Sequence, residues 1–168
     1  MKDVKIGSNI SFGGYNWCVL DIKNDAALII TEGIIEQRSY HNAYKDITWA
    51  ECSLRKYLNG EFYDKFNATD KAKIIQVKNK NPDNQWYGTN GGADTRDRIF
   101  LLSLEEVACK YFGDSSSRWL RSPGRVSVKT VYIHGDGNIG IQGNNILKGN
   151  ISDGECKGGV RPALWVKL

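Results

Sequence analysis

Histidine, proline and long apolar runs are all scarce in this sequence. Its 2 His, His41 and His134, have no partner at metal-ligand spacing, so no histidine-based metal motif is expected. No stretch approaches the roughly 20 apolar residues of a membrane-spanning helix. Met1-Lys2-Asp3 opens no signal-peptide core, and the reading is a chain soluble on its own without membrane insertion. The 4 Cys, at Cys18, Cys52, Cys109 and Cys156, form no C-x-x-C pair. That spacing is poor for structural zinc or a dense disulfide framework, and it predicts buried free thiols, with a single disulfide of undetermined pairing as the alternative. No nucleophile elbow, phosphate loop ending in Gly-Lys-Ser/Thr or dinucleotide fingerprint occurs. With 23 Lys+Arg against 19 Asp+Glu, the net charge of +4 falls short of the basic stripe of a dedicated nucleic-acid binder. No catalytic residue, metal, cofactor or nucleic-acid partner is therefore expected.

What the chain does carry is 18 Gly and 5 Trp within a composition 40% hydrophobic. Many glycines with large aromatic anchors predict irregular backbone around a real core. Residues 10–12 and 15–20 read as strands joined at Gly13-Gly14, and residues 26–31 as a buried strand after a turn at Asn24-Asp25. Thr48-x-x-Glu51 is a capping-box pattern that opens a helix with Ala50, Leu54, Tyr57 and Leu58 on one face. Glu51 and Arg55 form an i,i+4 pair, Asn59-Gly60 ends the helix, and a short helical turn follows over residues 70–73. Residues 79–96 read as a polar surface loop anchored by Trp86 and Tyr87, and residues 99–102 as a buried strand. Ser103-x-x-Glu106 is a second capping box, opening a helix that ends near Gly113. Beyond it glycine is frequent, and the chain closes on an apolar strand over residues 163–168. Strands, two helices, then irregular β predict one α+β domain over residues 1–168, not alternating βαβ.

Short repeats at Gly137-Asn138-Ile139, Gly143-Asn144-Asn145-Ile146 and Gly149-Asn150-Ile151 are too few for a solenoid and read as Asn/Gly hairpin turns. Asp136-Gly137-Asn138 lacks the other ligands of a calcium loop and also reads as a turn. In Trp119-Leu120-Arg121-Ser122-Pro123-Gly124, Pro123-Gly124 fits a type II turn, and Trp119 and Arg121 share one strand face. Gly158-Gly159-Val160-Arg161-Pro162-Ala163-Leu164-Trp165 repeats the logic. Trp119, Arg121, Pro123, Gly124, Arg161 and Pro162 are thus assigned structural roles, the arginines bonding loop carbonyls beside tryptophans. Trp17, Trp49, Trp119 and Trp165 are predicted to be mostly buried.

Together with Ile47-Thr48-Trp49, Cys52-Ser53-Leu54-Arg55, Leu58-Asn59, Phe100-Leu101-Leu102-Ser103 and the opening Phe12-Gly13-Gly14-Tyr15-Asn16-Trp17 and Val19-Leu20-Asp21, these motifs resemble an uncharacterised bacterial and phage domain family common in gut bacteria. The resemblance spans essentially the whole chain; Arg118 stands where the family often has another Trp. It implies the C-type-lectin-like fold of formylglycine-generating enzymes, with twisted antiparallel strands, two helices and a long irregular C-terminal half. Some proteins of this fold are variable proteins of diversity-generating retroelements, which implies a ligand-binding face within residues 118–159 and display on a phage particle or bacterial surface. The enzyme alternative is a copper oxidase using paired cysteines, but the paired-cysteine motif is absent. A passive assembly domain is the third reading.

The ligand-binding face is placed on one row. Arg125, Ser127 and Lys129 alternate with Val126 and Val128, so the polar side chains face outward from an extended segment and the valines face the core. Tyr132 and His134 continue the outward row, and Asn144, Asn145 and Lys148 complete the face. The loop around Trp86 is excluded from it. Tyr, Arg and Lys in such a row suit a protein or glycan ligand of acidic or carbonyl-rich surface.

Overall fold

The computed structural model describes residues 3–109, 117–148 and 158–168. Two tight reversals set the first sheet. Gly13 and Gly14 take φ of 57° and 83°, the left-handed pair that a two-residue hairpin needs, and join strand β1 (Asn9–Phe12) to β2 (Tyr15–Lys23). Asn24 and Asp25, at 47° and 60°, do the same between β2 and β3 (Ala26–Thr31). Every residue of β3 is buried, because it lies between β2 and the last strand, β12 (Ala163–Lys167). A short strand, β5 (Ile74–Ile75), closes the order β1-β2-β3-β12-β5.

The second sheet is β10 (Ile139–Asn145), β9 (Lys129–Ile133), β8 (Arg118–Pro123), β11 (Gly158–Val160) and β4 (Glu36–Arg38), in that order. A ribbon of β6 (Val77–Asn79) and β7 (Thr95–Asp97) stands apart. Among the described residues every strand pairing is antiparallel except β11 with β8. The architecture is mixed α+β, mostly antiparallel with few helices, and is compatible with a single small domain. Among the described residues no helix is long and apolar enough to cross a membrane.

The helices are short, and the first differs from its prediction. Thr48 makes no side-chain cap; residues Trp49–Glu51 form a 3-10 turn instead. Cys52 then caps α1 (Ser53–Tyr57), its Sγ accepting from Arg55 N at 3.4 Å. Asn59-Gly60 does not end the helix, which continues as a π turn over Leu58–Phe62. Arg55 does not pair with Glu51 but reaches Asp97 on β7. A buried carboxylate is the stronger partner for the guanidinium. Asn67 caps α2 (Ala68–Lys73), as the short-turn reading anticipated. The second capping box forms: Ser103 N donates to Glu106 Oε1 and Glu106 N to Ser103 Oγ, both at 3.1 Å, opening α3 (Leu104–Cys109). The predicted end near Gly113 lies outside the described residues. Residues 99–102 are buried but contribute only a single bridge, Phe100 to Ala163.

Trp17, Trp49 and Trp119 are fully buried and Trp165 half-buried, around a core that both sheets share. Cys52 is buried and Cys18 half-buried, but Cys109 is exposed, contrary to the buried-thiol expectation; all three are free, and Cys156 lies outside the described residues. Residues 134–138 turn β9 into β10, with Asp136 Oδ1 accepting from Asn138 N at 3.0 Å. That is the hairpin predicted at Gly137-Asn138. Gly143-Asn144-Asn145 instead lies inside β10 beside an irregularity in its pairing with β9, and Gly149-Asn150-Ile151 is outside the described residues.

Candidate functional site

The segment predicted to be structural is wholly interior: all of Arg118–Pro123 is buried. Arg121 donates through Nε to Asn81 Oδ1 (3.1 Å), through Nη1 to Leu101 O (2.8 Å) and through Nη2 to Lys80 O (3.2 Å), and pairs with Glu106. One guanidinium thereby ties β8 to α3 and two loops. Ser122 Oγ accepts from Leu104 N at the start of α3 (2.8 Å), and Trp119 Nε1 donates to Arg38 O (2.8 Å). Arg161 does the same at the far end: Nε donates to Thr31 O (2.6 Å) and Nη2 to Glu32 O (3.3 Å), while Pro162 O accepts from Thr31 N. The type II turn at Pro123-Gly124 does not form, since Gly124 has no positive φ. Glycine is needed there for space: a Cβ would stand 2.4 Å from Gln142 O.

The predicted binding row does not assemble as one face. β9 begins only at Lys129, so Arg125, Val126, Ser127 and Val128 precede the strand and do not alternate; Val126 is exposed instead of facing the core. Tyr132 corrects the reading most clearly. It is 2% exposed and packs edge-on against Trp119 at 5.0 Å between centroids, so it is a core residue. Register explains this, because Tyr132 stands opposite Trp119 across β8 and β9. His134 is half-buried against the Tyr132 ring, at the other end of β9 from Arg125. Ser127 is held by Asp46 (2.6 Å), and Asn145 Oδ1 is spent on Leu147 N (2.9 Å). Lys129 and Asn144 are half-buried, while Arg125 and Lys148 are exposed.

What Arg125 does meet is the loop that the sequence reading set aside. Its guanidinium lies 5.7 Å from the centroid of the exposed Tyr87 ring, and the chain neighbours of the two, Trp86 and Val126, are 55% and 45% exposed. The loop is held firmly. Buried Asn84 donates through Nδ2 to Pro123 O and Ile141 O (3.0 and 3.1 Å) and accepts at Oδ1 from Trp86 N and Tyr87 N (2.9 and 3.1 Å). Thr89 Oγ1 adds a bond to Arg125 O at 2.8 Å. A single asparagine thus fixes the aromatic pair against the β8–β10 framework; its only sequence signal was a side chain able to form an Asx turn.

A second feature was missed. A cavity of about 430 Å³ is lined by Arg38, Ser39, Asn42, Ser53, Leu54 and Tyr57. Arg38 lies 3.4 Å above the Tyr57 ring centroid and donates through Nε to Glu36 Oε2 at 3.1 Å. Tyr57 OH donates to Glu36 Oε1 at 2.6 Å, and Lys65 Nζ to Tyr57 Oη at 3.3 Å. Burial, then the bond to Glu36, raises the Tyr57 pKa. Burial alone would lower that of Arg38, but Glu36 and Tyr57 outweigh it and raise the value. Behind the wall, Ser53 N donates to His41 Nδ1 at 3.1 Å, and burial with Lys45 and Lys56 holds the His41 pKa below its usual range. His41 is therefore a buried imidazole that burial and two lysines keep neutral.

Elsewhere the polar interior is structural. Cys52 is pushed up to about 12 by burial, which makes it an inert thiol. Among the described residues no group of three or more His, Cys, Asp or Glu side chains is placed to hold a metal ion.

Residues 24–118 match a family described as a domain of unknown function, DUF6273, over more than half of the chain. The chain belongs to DUF6273. No curated protein and no solved structure matches it. The DUF6273 match includes the whole cavity lining together with Trp86 and Tyr87, but stops at the first residue of β8, before Arg125. Family membership assigns no activity to either feature.

Proposed function

We propose that this DUF6273 chain is a non-catalytic ligand-binding module of C-type-lectin-like design. The observation that carries the reading is the exposed cluster of Trp86, Tyr87, Arg125 and Val126, fixed by Asn84 to a rigid sheet. Trp, Tyr and Arg are the residue types that dominate interface energetics, and aromatic side chains lose little entropy on contact. Arg125 with nearby Lys129 and Lys148 favours an acidic protein surface as partner. The retroelement resemblance extends this: if positions vary, they are accessible ones within residues 118–159 and not Arg118–Pro123, all of which is buried. A reverse-transcriptase gene beside the coding sequence and a near-repeat of its 3′ end are expected on that reading, as is display on a phage particle or cell surface.

The direct test is selection of a random peptide library on the purified protein. Acidic peptides should be enriched, and Trp86→Ala with Arg125→Ala should weaken them at least about tenfold, roughly 1.4 kcal/mol, without lowering the melting temperature. Peptides that bind the double variant as well as the parent would locate binding elsewhere, and a library with no enrichment would remove the reading.

A further inference from the structure

The cavity at Arg38 shares no lining residue with the aromatic cluster and calls for its own account. Its guanidinium is restrained three ways. Glu36 and Arg38 are two apart on β4 and so share a face, which lets Glu36 take the Nε–H. The Tyr57 ring supports the guanidinium plane from below, and Tyr57 OH fixes the other oxygen of the same carboxylate. Both Glu36 oxygens are consumed in this way. Glu36 and Tyr57 are the side-chain partners of Arg38 among the described residues, and they leave part of the guanidinium facing the cavity. Its side chain remains 40% exposed at the cavity wall.

We infer that this cavity is a binding site for a hydroxylated carboxylic acid of sugar-acid size, gripped by the terminal nitrogens of Arg38. A planar fork already held in place loses little freedom on binding, and guanidinium matches carboxylate with two parallel bonds. Ser39, Asn42 and Ser53 line the same space and supply the donors and acceptors that hydroxyl groups need. The volume of about 430 Å³ is within the range of small-molecule pockets and too small for a folded partner. Charge agrees: Lys65 sits on Tyr57, and Lys45 and Lys56 act on His41 behind the wall, cations that favour an anionic ligand.

Titration of the isotope-labelled full chain with D-glucuronate, followed by NMR, tests this. Glucuronate at millimolar concentration should shift the Asn42, Ser53 and Arg38 Nε–H signals, whereas glucose should not. Arg38→Lys keeps the charge but loses the fork, and should weaken binding at least about tenfold. If that variant unfolds, Asn42→Ala, at an exposed position, should weaken binding on an intact fold. Absence of shifts with glucuronate, equal affinity for glucose, or equal affinity for acetate would overturn the assignment. Because Trp86→Ala leaves this cavity untouched, its binding of glucuronate should be unchanged, so the two sites fail or stand separately.

Discussion

Asp97 is the residue on which the helical side of the molecule turns. Fully buried, it accepts from Trp49 Nε1 (3.0 Å), Asn79 Nδ2 (3.0 Å), Thr95 Oγ1 (2.7 Å) and Arg55 Nε (2.6 Å). Burial would raise its pKa, yet the four donors outweigh it and hold the carboxyl below its ordinary 3.8. A depressed folded-state value contributes stability that is complete above the unfolded pKa and lost as pH falls through the folded one. Asp97→Asn should therefore cost about 2–3 kcal/mol at neutral pH in chemical denaturation, since Arg55 loses its counter-charge. The same variant should show a flatter loss of stability below pH 3.8 than the parent. Nothing in the local sequence announced this hub. Its partners Trp49 and Arg55 are 48 and 42 residues away, and the nearer signal, Glu51 four residues before Arg55, pointed to a different pair. Arg121 was legible as a carbonyl-binding arginine because its motif is compact, but which carbonyls it finds depends on loops far upstream.

Elements whose rules are local were readable, and elements decided by packing were not. The hairpins at Gly13-Gly14 and Asn24-Asp25 follow from backbone preference at adjacent residues, and β3 from one apolar run. Strand β9 was misread because five alternating residues imitate a strand, while the actual strand begins at the fifth; Tyr132 then faces inward against Trp119. Strand β11 illustrates how tightly packing governs the rest. It runs between β8 and β4, and a Cβ on Gly158 would stand 2.2 Å from the Trp119 indole, which itself donates to Arg38 O. Gly158→Ala should thus lower stability by about 1–3 kcal/mol through overpacking. Gly60, in the π turn with open space around its Cα, is the contrast: alanine there should be neutral or stabilising by up to about 1 kcal/mol. Thermal unfolding of the two variants side by side checks the difference.

At the scale of the whole molecule, the boundaries of the DUF6273 match and the boundaries of the folding unit diverge. Residues 24–118 contain β3 but neither of its neighbours, β2 and β12, and contain β4 without its partner β11. An excised fragment of residues 24–118 should lack a cooperative thermal transition and the near-ultraviolet circular dichroism of packed tryptophans, whereas the full chain should show both. A fragment that melts cooperatively would mean that β3 finds a substitute partner. The aromatic cluster carries the same lesson, for Tyr87 and Arg125 lie on opposite sides of the family boundary and meet only in the complete fold.

Strand β12 occupies an interior place in its sheet although it is the last element in chain order. During synthesis, therefore, β3 leaves the ribosome with one long apolar edge that no earlier strand satisfies. Until β12 emerges, that edge is open to neighbouring nascent chains and is a natural substrate for chaperones. Closure of this edge waits on translation of β12, far along the chain from β3, so a chain cut before β12 leaves β3 unpaired on that side.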